Sequence, residues 1–214
     1  MQAPRTTVLL ACGTVAGPLF VAVALVQAAA RPGFDLRRHP FSLLSLGTAG
    51  WIQIVNFVLC GALFVACAAG MRRVLRHRPA GTWGPLLTAL FGLGSIGGGV
   101  FVADPALGFP AGAAPTGAAA ATWHGTAHGF AFMVGMTALV AAFFTMAYGF
   151  AAAGDRRWSR GSLAAGIAFV ALAAAGTGIG DWRLVALAVA IGWGWVSLVA
   201  VRLRAPAPDG GRVS

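Results

Sequence analysis

The chain contains no lysine and no glutamate. Its acidic groups are Asp35, Asp104, Asp155, Asp181 and Asp209, and its imidazoles are His39, His77, His124 and His128. Any acid, base or metal-ligand chemistry must draw mainly on these few side chains. The cysteines Cys12, Cys60 and Cys67 lie inside apolar runs without the short spacing of a metal-binding pair, so they read as small packing residues. Long polar stretches are also missing, and no segment is long enough to form a soluble domain with its own core. No repeat of fixed period is visible, and the two halves of the chain show no match of the kind that inverted-repeat transporters carry.

What the chain does have is long apolar runs at about 7–30, 50–70, 84–102, 124–150, 161–180 and 184–203. Each is near the ~20 residues a helix needs to cross the hydrocarbon. The expected fold class is all-α: a single membrane domain, a bundle of six transmembrane helices, multi-pass in the cell membrane. An even number of spans puts both termini on one side.

All fifteen basic residues are arginines, and they sort by side. Arg5, Arg72, Arg73, Arg76, Arg78, Arg156, Arg157, Arg160, Arg202, Arg204 and Arg212 share the side of the termini, whereas Arg31, Arg37, Arg38 and Arg183 lie on the other. The positive-inside bias therefore predicts an N-in, C-in topology with residues 205–214 as a cytoplasmic tail. The formal charge of +10 then reflects membrane orientation, which sets nucleic acid aside as a partner. Asp155 and Asp209, among arginines on the inner side, read as solvated surface charges. Ala28-Ala29-Ala30 resembles a signal-peptidase site, but the preceding apolar run is longer than a signal core, and Gly13, Gly17 and Pro18 fit a packed, kinked span. A retained first helix is expected.

Small residues cluster within the spans, notably Gly92, Gly94, Gly97, Gly98 and Gly99, then Gly176, Gly178 and Gly180. Close helix packing is their first explanation in lipid; a cavity or hinge ahead of Asp104 is the second. Trp51, Trp83, Trp123, Trp158 and Trp182 sit at span ends, where indoles favour the interface. Two outer connections are long. Residues 31–49 mix apolar and basic groups, as an interfacial segment folded over the helix ends would. Residues 103–123, with Pro105, Pro110 and Pro115, should be irregular.

Several stretches carry a family resemblance: Arg31-Pro32-Gly33-Phe34-Asp35, His39-Pro40-Phe41-Ser42-Leu43-Leu44, Gly50-Trp51-Ile52-Gln53-Ile54-Val55-Asn56-Phe57, Asp104-Pro105, and Trp123-His124-Gly125-Thr126-Ala127-His128-Gly129. Together they resemble the domain-of-unknown-function 998 family of prokaryotic membrane proteins, from the first helix to the sixth. The resemblance implies a fold and a membrane location, with no established reaction. Where the family tends to place an acidic residue before the proline of the first outer loop, this chain has His39-Pro40, which removes a carboxylate from that point.

The scarce titratable groups gather on the outer side. His124 and His128, four apart on a helix, project from one face at a spacing used by two-His metal sites. No glutamate follows His124, so the base of a zinc protease is missing. Asp104 and His39 extend the pair to a three-His, one-Asp set compatible with zinc or another divalent metal; the alternative is that each imidazole bonds to a neighbouring helix. Asp104 is either a turn residue before Pro105 or, with a pKa raised among apolar helices, an acid or base. Gln53, Asn56 and Ser42 are candidate substrate contacts, although Gln53 and Asn56 equally suit hydrogen bonds across helices. Asp181 and Arg183 suit an ion pair with each other or contact with solvent.

Two function classes stay open. One is an enzyme acting on a lipid or isoprenoid-like substrate through Asp104, His124 and His128. The other is a non-catalytic protein, either an accessory protein binding membrane lipids, a hydrophobic small molecule or a partner, or a small permease. The absence of charge in mid-span argues against an ion-coupled pump acting alone.

Overall fold

The computed structural model describes residues 3–113 and 121–205. It folds into α1 (Pro4–Ala30), a 3-10 turn (Phe41–Ser45), α2 (Gly50–Val74), α3 (Trp83–Val100), α4 (Trp123–Ala152), α5 (Arg156–Ile179) and α6 (Trp182–Arg204). All six α-helices are long and apolar enough to cross a membrane, so the chain is an all-helical multi-pass membrane protein. Pro115, Asp209 and Arg212 lie outside the described residues.

Local chemistry explains where the helices begin. Thr122 caps α4 by accepting the Gly125 N–H at 3.0 Å, and Asp181 caps α6 by accepting the Arg183 N–H at 3.1 Å. α5 starts at Arg156 rather than at 161, because Asp155 accepts the Trp158 N–H at 3.3 Å and satisfies a donor that the first turn would leave free. Asp155 also accepts from Arg202 at 2.8 Å. It is therefore a joint between α5 and α6, not the solvated charge expected from its arginine-rich surroundings.

Each helix packs on its neighbour in the chain, and α6 returns to pack on α1, so the bundle is a ring. Glycines make the seams. A methyl group added at Gly61 would stand 2.6 Å from the Gly92 carbonyl oxygen, and one at Gly94 would stand 2.6 Å from the Gly135 Cα. At the closing seam the Ser197 hydroxyl donates to the Gly13 carbonyl at 2.7 Å and accepts the Gly17 N–H at 3.1 Å. An uninterrupted helix would join those two groups directly. Here a side chain of α6 bonds to both of them, one residue before Pro18, whose ring is already incompatible with a straight helix.

Aromatic rings fill the middle. Phe64, Phe91, Trp193, Phe20 and Phe57 form a chain with successive centroids 5.0, 4.6, 5.0 and 5.1 Å apart. One end of the bundle carries the arginine clusters, and the other, the loop end, carries the two long connections. There the first long loop folds back, burying Phe41, Leu43 and Leu44 over the helix ends. Arg31 holds it in place by donating to the carbonyls of Leu44 and Leu46.

Substituting Gly17 with leucine should force α1 away from α6 and lower stability by about 1–3 kcal/mol, the usual range for overpacking a tight contact. Thermal unfolding in detergent measures this, and an unchanged midpoint would contradict the seam.

Candidate functional site

His39 stands at the centre of the loop end, and its two ring nitrogens are both occupied. The Asp35 N–H donates to Nδ1 at 2.9 Å, so Nδ1 is unprotonated and Nε2–H donates to the Leu107 carbonyl at 3.1 Å. The ring packs between Phe34 and Phe109, with centroids at 5.3 and 5.5 Å, and is buried. His39 thus ties the first long loop to the second. The Trp182 N–H donates to the Arg37 carbonyl at 2.9 Å and ties the same loop to the start of α6.

His128 is buried against the end of α3. Its Nδ1 lies 3.0 Å from the Gly98 carbonyl and 2.8 Å from that of Phe101. Two acceptors at one nitrogen require that Nδ1 carry the proton. The ring therefore serves carbonyls that the last turn of a helix leaves without intrahelical partners. No group among the described residues bonds its Nε2.

His124, one turn earlier, is exposed and lies on Trp123, with ring centroids 3.6 Å apart. The two imidazoles expected to act together thus occupy different environments. His128 meets the end of α3, whereas His124 stacks on its neighbour Trp123.

Asp104 sits beside this first turn, partly exposed. It accepts the Thr122 hydroxyl at 2.6 Å and the Thr122 N–H at 2.9 Å. These bonds, chiefly the hydroxyl, hold its carboxyl below the usual carboxylate range, with smaller contributions from His124 and His128. That is opposite to the raised value a proton-donating carboxylate would need. Asp181, bonded to Arg183 at 2.7 Å, is likewise pulled down, to about 2.

The proposed metal set of His39, His124, His128 and Asp104 does not come together. Among the described residues no group of three or more His, Cys, Asp or Glu is arranged to hold a metal ion. The donor atoms explain why: both nitrogens of His39 and one of His128 are committed to the backbone, and Asp104 is committed to Thr122. These residues do not fit a divalent metal.

What the loop end does hold is an apolar cavity of about 230 Å³. Phe20 and Phe57 form its inner wall, Trp193 and Val189 of α6 face Phe132 and Gly129 of α4, and Phe41 and Trp182 cover it. His39, Ser42 and His128 supply its polar edge. Gln53 and Asn56 are elsewhere. Gln53 accepts from Gln27 at 2.7 Å and Asn56 donates to the Phe20 carbonyl at 3.1 Å, so they join α2 to α1. A second cavity, at the arginine-rich end, is lined by Arg78 and by the Asp155–Arg202 pair.

Trp193 is the site residue that sequence reasoning missed. Its signal was its position: an indole in mid-span, flanked by Gly192 and Gly194, far from the interface that tryptophan favours.

A ring of six membrane helices with an apolar cavity beside its first long loop defines a polytopic helical membrane protein. A family model described as "Protein of unknown function (DUF998)" matches residues 14–202, and the chain belongs to that family. No curated protein and no solved structure matches the chain.

The lowered pKa of Asp104 predicts a pH effect. The folded chain holds this proton less tightly than the unfolded chain, so the contribution to stability is complete above the ordinary carboxylate value of 3.8 and is lost as pH falls through the lower folded value. Asp104→Asn should remove that part of the acid dependence while leaving its shape above pH ~5 unchanged. Acid unfolding curves of the two proteins, followed by circular dichroism, would have to coincide for the assignment to be wrong.

Proposed function

We propose that this protein binds a lipid chain or isoprenoid-like molecule in the loop-end cavity, as a non-catalytic membrane protein. The observation that carries the reading is an almost wholly apolar space bordered by the folded-back first loop. Its ~230 Å³ falls just below the ~300–1,000 Å³ of common small-molecule sites, so it suits one chain or ring and not a whole two-chain lipid. The lining comes from α1, α2, α4, α6 and the first loop, with no residue of α5. The lining residues Gly129 and Phe132 of α4 are themselves exposed, which opens the cavity toward the bilayer on that side. A catalytic reading through Asp104, His124 and His128 has less support, because only His128 reaches the cavity. One imidazole with one uncommitted nitrogen lacks the partner that general acid–base or nucleophilic catalysis calls for.

The arginine distribution supports a loop end that faces away from the cytoplasm, with both termini inside the cell membrane's cytoplasmic face. A membrane-impermeant maleimide applied to intact cells should label Pro32→Cys and spare Arg76→Cys. Labelling of Arg76→Cys alone would reverse the orientation.

Occupancy is tested with a diazirine-bearing isoprenoid hydrocarbon and the purified full chain in micelles. Photolysis should mark Phe132 on α4 and the stretch from Val185 to Val189 on α6. Ala186→Trp, which puts an indole into the cavity, should reduce labelling there to background. Undiminished labelling in a folded Ala186→Trp protein would show that the probe sits elsewhere.

A further inference from the structure

We infer that the natural occupant of this cavity carries an uncharged oxygen acceptor, the hydroxyl or carbonyl oxygen of an isoprenoid or long-chain compound, and that Trp193 Nε1–H donates to it. The inference rests on the binding role proposed above and specifies the ligand's chemistry.

Two indoles of α6 lie buried two residues apart, and they are treated differently. Trp195 Nε1–H donates to Ser162 Oγ at 3.0 Å, so α5 supplies its acceptor. Trp193 is 2% exposed, and its Nε1 has no hydrogen-bond partner among the described residues. A buried indole N–H normally finds an acceptor. The Trp193 ring is stacked on Phe20 at 5.0 Å and set edge-on to Phe91 at 4.6 Å, which holds it in place. The open space it adjoins is the cavity. The missing acceptor is assigned to whatever fills that space.

The lining also selects the kind of acceptor. No arginine or aspartate lines the cavity, so a phosphate or carboxylate inside it would be an unpaired charge in an apolar site. A neutral oxygen has no such cost. His128, with Nδ1 protonated and Nε2 uncommitted, adds an acceptor at the edge of the same space, which suits a hydroxyl.

The test compares farnesol with farnesane, its saturated hydrocarbon counterpart without the hydroxyl, on the full chain in micelles with the tryptophan indoles labelled by nitrogen-15. The Trp193 signal is assigned as the indole resonance that disappears in Trp193→Phe. Farnesol should move that resonance downfield, and farnesane should not. Farnesol should also bind more tightly than farnesane, and Trp193→Phe should shrink this preference by about fivefold, the size of one net hydrogen bond.

Equal binding of the two compounds, or a Trp193 resonance that farnesol leaves unmoved, would overturn the acceptor inference while leaving the cavity as a binding site. Failure of either compound to bind would overturn the binding role itself. If Trp193→Phe does not fold, the indole signals are assigned through folded Trp→Phe variants at the other tryptophans, and the shift in the native chain decides the matter.

Discussion

The hydroxyl of Ser197 closes the ring. In hydrocarbon there is no water to satisfy a backbone group, so a helix can open its own hydrogen-bond ladder only where another group replaces the missing partner. Ser197 adds a partner from α6 to two backbone groups of α1, Gly13 and Gly17, just before Pro18. Because of that bridge α6 lies on α1 closely enough to stack Trp193 on Phe20. The stack forms the back of the cavity. Without the seam, six helices would still cross the bilayer, but they would not enclose this space.

The same economy governs the other polar groups. The chain has few of them, and most join one element to another. Gln27, Gln53 and Asn56 join α1 to α2, Ser95 donates from α3 to the Phe57 carbonyl of α2 at 3.0 Å, and Asp155 joins α5 to α6. His39 and Trp182 bind the loops to each other and to α6. The consequence for function is direct. A side chain whose donors and acceptors are spent on architecture has none left for a substrate or a metal. His128 Nε2 and Trp193 Nε1 are two polar atoms of the lining without such duty, and they are the ones proposed above to meet a ligand.

Much of the fold was legible along the chain. Apolar runs of bilayer length mark the helices, and the glycine clusters mark the seams, as Gly92 and Gly94 show by facing Gly61 and Gly135. The pairing of Asp181 with Arg183 was legible too, because the two are neighbours in sequence. Less of the site was. His124 and His128 share a helical spacing, yet His128 bonds to the end of α3 and His124 is exposed, and spacing carries no record of that. Asp155 looked like a surface charge because its partner Arg202 is remote in sequence. Gln53 was equally suited to a cavity wall or a helix joint until Gln27 came within 2.7 Å.

The sequence by itself determined that the chain crosses a bilayer six times and that its scarce titratable groups fall largely at one end. Both follow from solvent sorting, since water and hydrocarbon separate residues one by one, without reference to their neighbours. Only the tertiary structure decided which of those groups remain available. A hydrogen bond between distant segments, such as His39 to Leu107 or His128 to Phe101, depends on where two backbones meet. That meeting is set by the packing of the whole ring and by no local pattern of residues.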